Sequence, residues 1–83
     1  MRLDKFLKIS RIVKRRTVAN EMASAGRVQV NGKKAKPGTE VKVGDLLEIG
    51  YGASLIRVRI LEIKEHVRKE EAASLYQILE DEA

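Results

Sequence analysis

A change of hydrophobic period at Gly26 constrains the fold of this 83-residue chain more than any other feature. Before it, Leu3, Phe6 and Leu7 recur at the i, i+3, i+4 spacing of one helical face, with Arg2, Lys5 and Lys8 largely off that face. After it, Val28 and Val30 alternate with Arg27 and Gln29 and run into Asn31-Gly32, the strongest short-range hairpin signal. Helices followed by strands describe an α+β domain. A chain this short buries only about 60 to 65% of the surface its unfolded form exposes, enough for one core.

The first helix is expected to end near Lys8 to Ser10, because its continuation points Ile9 off the stripe and Ser is a poor interior residue. A turn then carries Arg11 to Arg16. Thr17, suited to capping, opens a second helix with Val18, Ala19, Met22 and Ala23 inward and Gly26 as a left-handed C-terminal cap. Beyond the Asn31-Gly32 turn, Pro37-Gly38 makes another, Val41 and Val43 resume the alternation, and Gly44-Asp45 introduces Leu46, Leu47 and Ile49. A break at Gly50 to Ser54 precedes a strand from Leu55 to Ile63, in which Ile56, Val58 and Ile60 alternate with Arg57, Arg59 and Leu61. From Lys69 to Glu82 the pattern is helical again, with Ala72, Leu75, Tyr76 and Leu79 on one face. The expected architecture is two short N-terminal helices packed on a small bent antiparallel sheet, with a C-terminal helix.

Charge says what such a domain meets. Met1 to Thr17 hold seven cations (Arg2, Lys5, Lys8, Arg11, Lys14, Arg15 and Arg16) against one acid, Asp4. Residues 1 to 42 carry twelve Lys/Arg and three acids, residues 43 to 83 five and nine. Lys14-Arg15-Arg16 crowd the N-terminus of the second helix, where like charges are unfavourable unless an anion compensates and where free backbone N–H groups already favour one. This marks a phosphate-docking surface. Asp4 suits either of two roles, an acid in the first helical turn or a salt-bridge partner that orients a nearby Arg. With Phe6, Tyr51 and Tyr76 the only aromatics, a polyanion is expected to be recognised by its shape and backbone more than by stacking. Tyr51, in a Gly-flanked loop, is open as a stacking residue; Phe6 and Tyr76 are expected in the core.

Several classes fall away. No Cys is present, so there is neither a disulfide framework nor a thiolate metal site, and His66 alone assembles neither a triad nor a zinc site. No catalytic residue, metal or cofactor is expected, and His66 reads as a surface residue. The absence of Cys points to a reducing, cytoplasmic home. No apolar run approaches the roughly 18 residues that span a bilayer, so no membrane partner is expected. The acidic Glu80-Asp81-Glu82 reads as a solvated helix end, with contact to a basic partner as the second reading.

The ordered set Arg2-Leu3-Asp4-Lys5-Phe6-Leu7, the basic turn into Thr17-Val18-Ala19, Gly26 to Gly32, Lys36-Pro37-Gly38, Val41 and Gly44-Asp45 resembles the RNA-binding domain first defined in ribosomal protein S-four, the alpha-L motif. The family's RNA-binding face implies that Arg2, Lys5, Arg11, Lys14, Arg15, Arg16 and Lys36 contact RNA; Lys8, on the same basic side of the first helix, is expected to join them, and Asp4 and Thr17 to orient them. The usual Ser-Arg opening of the second helix is here Arg15-Arg16. On this resemblance residues 1–65 form the RNA-binding domain and 66–83 a helical extension packed on or beside it. Glu71-Ala72-Ala73-Ser74-Leu75-Tyr76 is similar to the C-terminal element of the fifteen-kilodalton ribosome-associated heat-shock proteins, without their basic extension, and the shorter form resembles the RqcP group. That implies a monomeric, non-enzymatic, ribosome-associated factor. It would bind large-subunit rRNA and tRNA, partner an RqcH-type tailing factor and support alanine tailing of stalled chains. The alternatives it leaves are a heat-shock-type recycling factor for stalled subunits and a detached RNA-targeting domain of an RNA-modifying enzyme.

Overall fold

The structure, a computed structural model, describes residues 1–79. Helix α1 (Leu3–Ile9) and helix α2 (Arg16–Ser24) precede β1 (Val28–Val30), β2 (Lys33–Lys34), β3 (Leu46–Tyr51) and β4 (Ser54–Ile60). A 3-10 helix (Lys69–Leu75) and β5 (Tyr76–Ile78) follow. Among the described residues the strands form one antiparallel sheet in the order β2-β1-β3-β4-β5. The α+β arrangement of two helices on a small antiparallel sheet is the one the sequence led us to expect.

The period change at Gly26 is built as a Schellman end to α2. Gly26 N–H donates to the Ala23 carbonyl and Arg27 N–H to that of Met22, both at 3.0 Å, with Gly26 at φ +76°. The chain can then reverse into β1. Asn31 and Gly32, both at positive φ, make the two-residue turn between Val30 and Lys33, the pairing geometry that type I′ hairpins require. Leu3, Phe6 and Leu7 are fully buried against Val28, Leu47, Ile49, Val58, Ile60 and Leu75, so one core joins α1, the sheet and the 3-10 helix.

Four local expectations change. Helix α2 starts at Arg16, one residue before Thr17: Arg15 is the extended cap residue, its carbonyl accepting the Ala19 N–H at 3.1 Å, and no side chain caps the helix. Val18, expected inward, is 39% exposed, whereas Ala19, Met22 and Ala23 are buried. Val41 and Val43 form no strand. The backbone there is taken up by the N-terminus, with Leu3 N–H donating to the Thr39 carbonyl and Val41 N–H to that of Met1, both at 2.8 Å. Val43 points to solvent before the turn at Gly44. The C-terminal helical segment is a 3-10 helix that stops at Leu75, and Tyr76 to Ile78 pair with β4 (Val58 opposite Ile78, Ile60 opposite Tyr76). An open edge of β4 offers backbone partners that an isolated helix end lacks, and ladder pairing outweighs helical propensity here. The expected helical stretch at Glu80 to Glu82, with its solvated acidic end, lies outside the described residues.

Candidate nucleic-acid interface

Asp4 is the centre of the basic face. It is only 2% exposed, buried by its place on the first turn of α1 under the start of α2. Its carboxylate accepts five N–H groups. Arg2 donates through Nε to Oδ1 and through Nη2 to Oδ2, both at 3.2 Å, and the Lys5 amide donates at 2.8 Å. From α2, Arg16 Nη2 donates at 3.5 Å and Asn20 Nδ2 at 3.4 Å. Burial opposes ionisation of this carboxyl. The hydrogen bonds from Arg2 and Asn20 and the positive charges of Arg16 and Arg2 outweigh that penalty and hold its pKa below the ordinary 3.8. Of the two roles open to Asp4, the structure shows the orienting one, for two guanidiniums at once.

Arg2 and Arg16 remain about half exposed, 52% and 48% by side chain, so each presents unused N–H groups to solvent. Five donors on a guanidinium are not exhausted by one or two bonds. Beside Arg16, the amides of Arg16, Thr17 and Val18 make no hydrogen bond among the described residues. They are the orphan donors that begin any helix. The amides of Leu3 and Asp4 at the start of α1, by contrast, are taken by the carbonyls of Thr39 and Pro37. An anion beside Arg16 therefore finds side-chain and backbone donors together, whereas the start of α1 offers Arg2 with no free amide beside it.

The other expected residues are distributed around this centre. Lys36 is exposed in the turn that closes by Lys36 N–H to Thr39 Oγ1 (2.9 Å), and the next carbonyl, Pro37, receives the Asp4 amide, so the turn abuts the cluster. Lys5 is ion-paired to Glu65, which lowers the Glu65 pKa by direct hydrogen bonding and charge. Lys8, Arg11 and Lys14 line a cleft of about 550 Å³ with Glu65 and His66 facing them. Arg11 stands at φ +61°, which ends α1 and turns the chain into the basic loop. Arg15 is exposed at the cap position of α2. Thr17 is exposed, one residue inside the helix, and lines a hollow with Asp4, Arg16 and Asn20.

Three contacts were not anticipated from the sequence, although Tyr51 itself was singled out there. Asn20 follows Arg16 by one helical turn, a spacing that places both on one face and signals a shared partner. Tyr51 Oη donates to the Ile12 carbonyl at 2.7 Å, fastening the basic loop to the end of β3. Burial raises the pKa of that phenol. Glu65 comes from a connector sixty residues beyond Lys5, a pairing no local pattern announces.

A family model described as the S4 domain matches residues 1–47. The chain belongs to the S4 domain family. It is 56% identical to the RQC P-site tRNA stabilizing factor of Halalkalibacterium halodurans, across 99% of this chain and 93% of that protein. It is 53% identical to the factor of the same name from Streptococcus pneumoniae, across 98% of this chain and 92% of that protein. Its fold matches the trimeric structure of Vibrio cholerae heat shock protein 15 with a TM-score of 0.88 at 34% identity, over 95% of this chain and 81% of that one. The family is the one that the residues from Arg2 to Asp45 had indicated, and these relatives carry the quality-control name that the Glu71 to Tyr76 segment and the shorter form had suggested.

Proposed function

We propose that the chain is an RNA-binding factor of bacterial ribosome-associated quality control that holds rRNA and tRNA together on stalled large ribosomal subunits. The observation that carries this reading is the pair of guanidiniums, Arg2 and Arg16, fixed by one buried carboxylate beside three unbonded helix amides. Such a surface grips phosphates in a set geometry; the names and full-length similarity of the relatives supply the ribosomal setting. Its contribution is positional. Two RNA elements held in one relative orientation reach a productive geometry without the entropy cost of finding it, and no group on this factor need move a proton or form a bond. On the same reading it acts as a monomer beside an RqcH-type tailing factor, and alanine tailing of the stalled chain depends on it.

The test is co-sedimentation with separated large subunits carrying peptidyl-tRNA, followed by tail length on a stalled reporter in a deletion strain. Arg2→Ala and Arg16→Ala are each expected to leave a folded protein that co-sediments more weakly, and their double variant to lose co-sedimentation and abolish tails while the stall persists. His66→Ala is expected to keep both. Full tailing by the double Arg variant overturns the clamp.

A further inference from the structure

Between the basic loop, α2 and the sheet lies a hollow of about 720 Å³ that the Arg2 and Arg16 cluster does not use. Its walls are apolar: Ile12, Val18, Tyr51 and Ile56, with the buried Val13 beneath. Lys14 and Arg15, both exposed and with no ion pair among the described residues, complete the lining. The volume is within the range of roughly 300 to 1,000 Å³ typical of small-ligand sites. An apolar hollow flanked by unpaired cations needs an occupant with a flat apolar body and an attached negative charge.

We infer that this hollow receives an unpaired nucleobase of the bound RNA, with the flanking phosphates on Lys14 and Arg15. The inference rests on the RNA-binding reading above and names a second contact mode within it. Charge complementarity selects the occupant. A second copy meeting this face with the same face would bring its own basic loop against Lys14 and Arg15, and an apolar protein segment would leave both cations unpaired. A nucleotide supplies both halves, and bases stack on aromatic and apolar walls regardless of sequence. The exposed Val18 then has a reason to be apolar: it faces the hollow, not the core. The Tyr51 hydroxyl donates to the Ile12 carbonyl, which keeps the loop and the ring together as one wall and leaves Tyr51 no donor with which to read base identity.

The experiment compares a labelled single-stranded oligoribonucleotide with an abasic oligomer of equal phosphate count, by fluorescence anisotropy with the full chain. Wild type is expected to prefer the base-bearing probe by about tenfold, the effect of one stacked base. Val18→Gln, a neutral change at an exposed position, is expected to reduce that preference toward unity while abasic affinity holds; Lys14→Ala should weaken both probes alike. Equal affinity of wild type for the two probes overturns the inference and needs no variant to fold. So do concentration-dependent NMR shifts of Val18 and Tyr51 without RNA, which assign the hollow to a second copy. Neither result touches the wider reading, which is tested separately by co-sedimentation and tailing of the Arg2 and Arg16 variants.

Discussion

Asp4 and Arg16, twelve residues apart in the chain, meet at 3.5 Å across the junction of two helices, and the same carboxylate holds Arg2 at 3.2 Å. One buried acid thus sets the spacing of two exposed cations. The acid that looked like a minor exception in a run of basic residues organises the surface.

Asp4→Ala should therefore weaken both folding and binding. It removes the acceptor of the Lys5 N–H, returns the exposed Asn20 amide to water, and leaves two guanidiniums near each other without a counter-charge. A loss of about 2 kcal/mol in urea unfolding is expected, mainly from the buried acceptor, since the two Arg are half solvated. Subunit co-sedimentation should fall further than for Lys36→Ala.

Acid should find the same weakness. The folded pKa of Asp4 is depressed, so its stabilising contribution is complete above the unfolded value near 3.8 and is lost as pH falls through the lower folded value. Urea midpoints measured from pH 5 to pH 2 should drop below about pH 4, and Asp4→Asn should flatten part of that decline. An equal decline in the variant would assign it to other carboxylates.

Salt should weaken binding to large subunits steeply. If about four phosphates are neutralised, the log-log slope of affinity against salt is on the order of −3 to −4, and Arg16→Ala should make it shallower by about one. A wild-type slope near zero would remove the electrostatic account.

Two glycines should respond differently to alanine. At Gly26 a Cβ would meet the Lys34 side chain no closer than 3.6 Å, an ordinary contact, so the cost is the φ of +76° and amounts to about 1 kcal/mol. At Gly38, where φ is not positive and a Cβ would touch the Arg2 guanidinium at 3.8 Å, thermal unfolding should barely change.

What could be read in advance follows the range of the interactions. The stripe of Leu3, Phe6 and Leu7, the Gly26 stop and the Asn31-Gly32 turn are local signals, and each is built as its residues dictate. The face carrying Arg2 and Arg16 was legible because charge density is a property of the chain itself. The start of α2 was misread at Thr17 because a capping side chain is one route among several to satisfy a helix end, and here none is used. The strand at Tyr76 was missed for the opposite reason: nothing near it in sequence shows that β4 has an open edge. Likewise the Lys5 link to Glu65 and the Tyr51 link to Ile12 depend on the finished fold.

The single core that encloses Leu3, Phe6 and Leu7 also sets when this protein becomes competent. Their covering residues Leu47, Ile49, Val58, Ile60 and Leu75 are translated long after them. A seven-residue helix does not persist alone in water. Until Ile60 and Leu75 cover it, α1 has no stable place, and Asp4 has no fixed position from which to hold Arg2 and Arg16. The spacing of the two guanidiniums is a late product of the fold, set by residues that lie far from either in the chain.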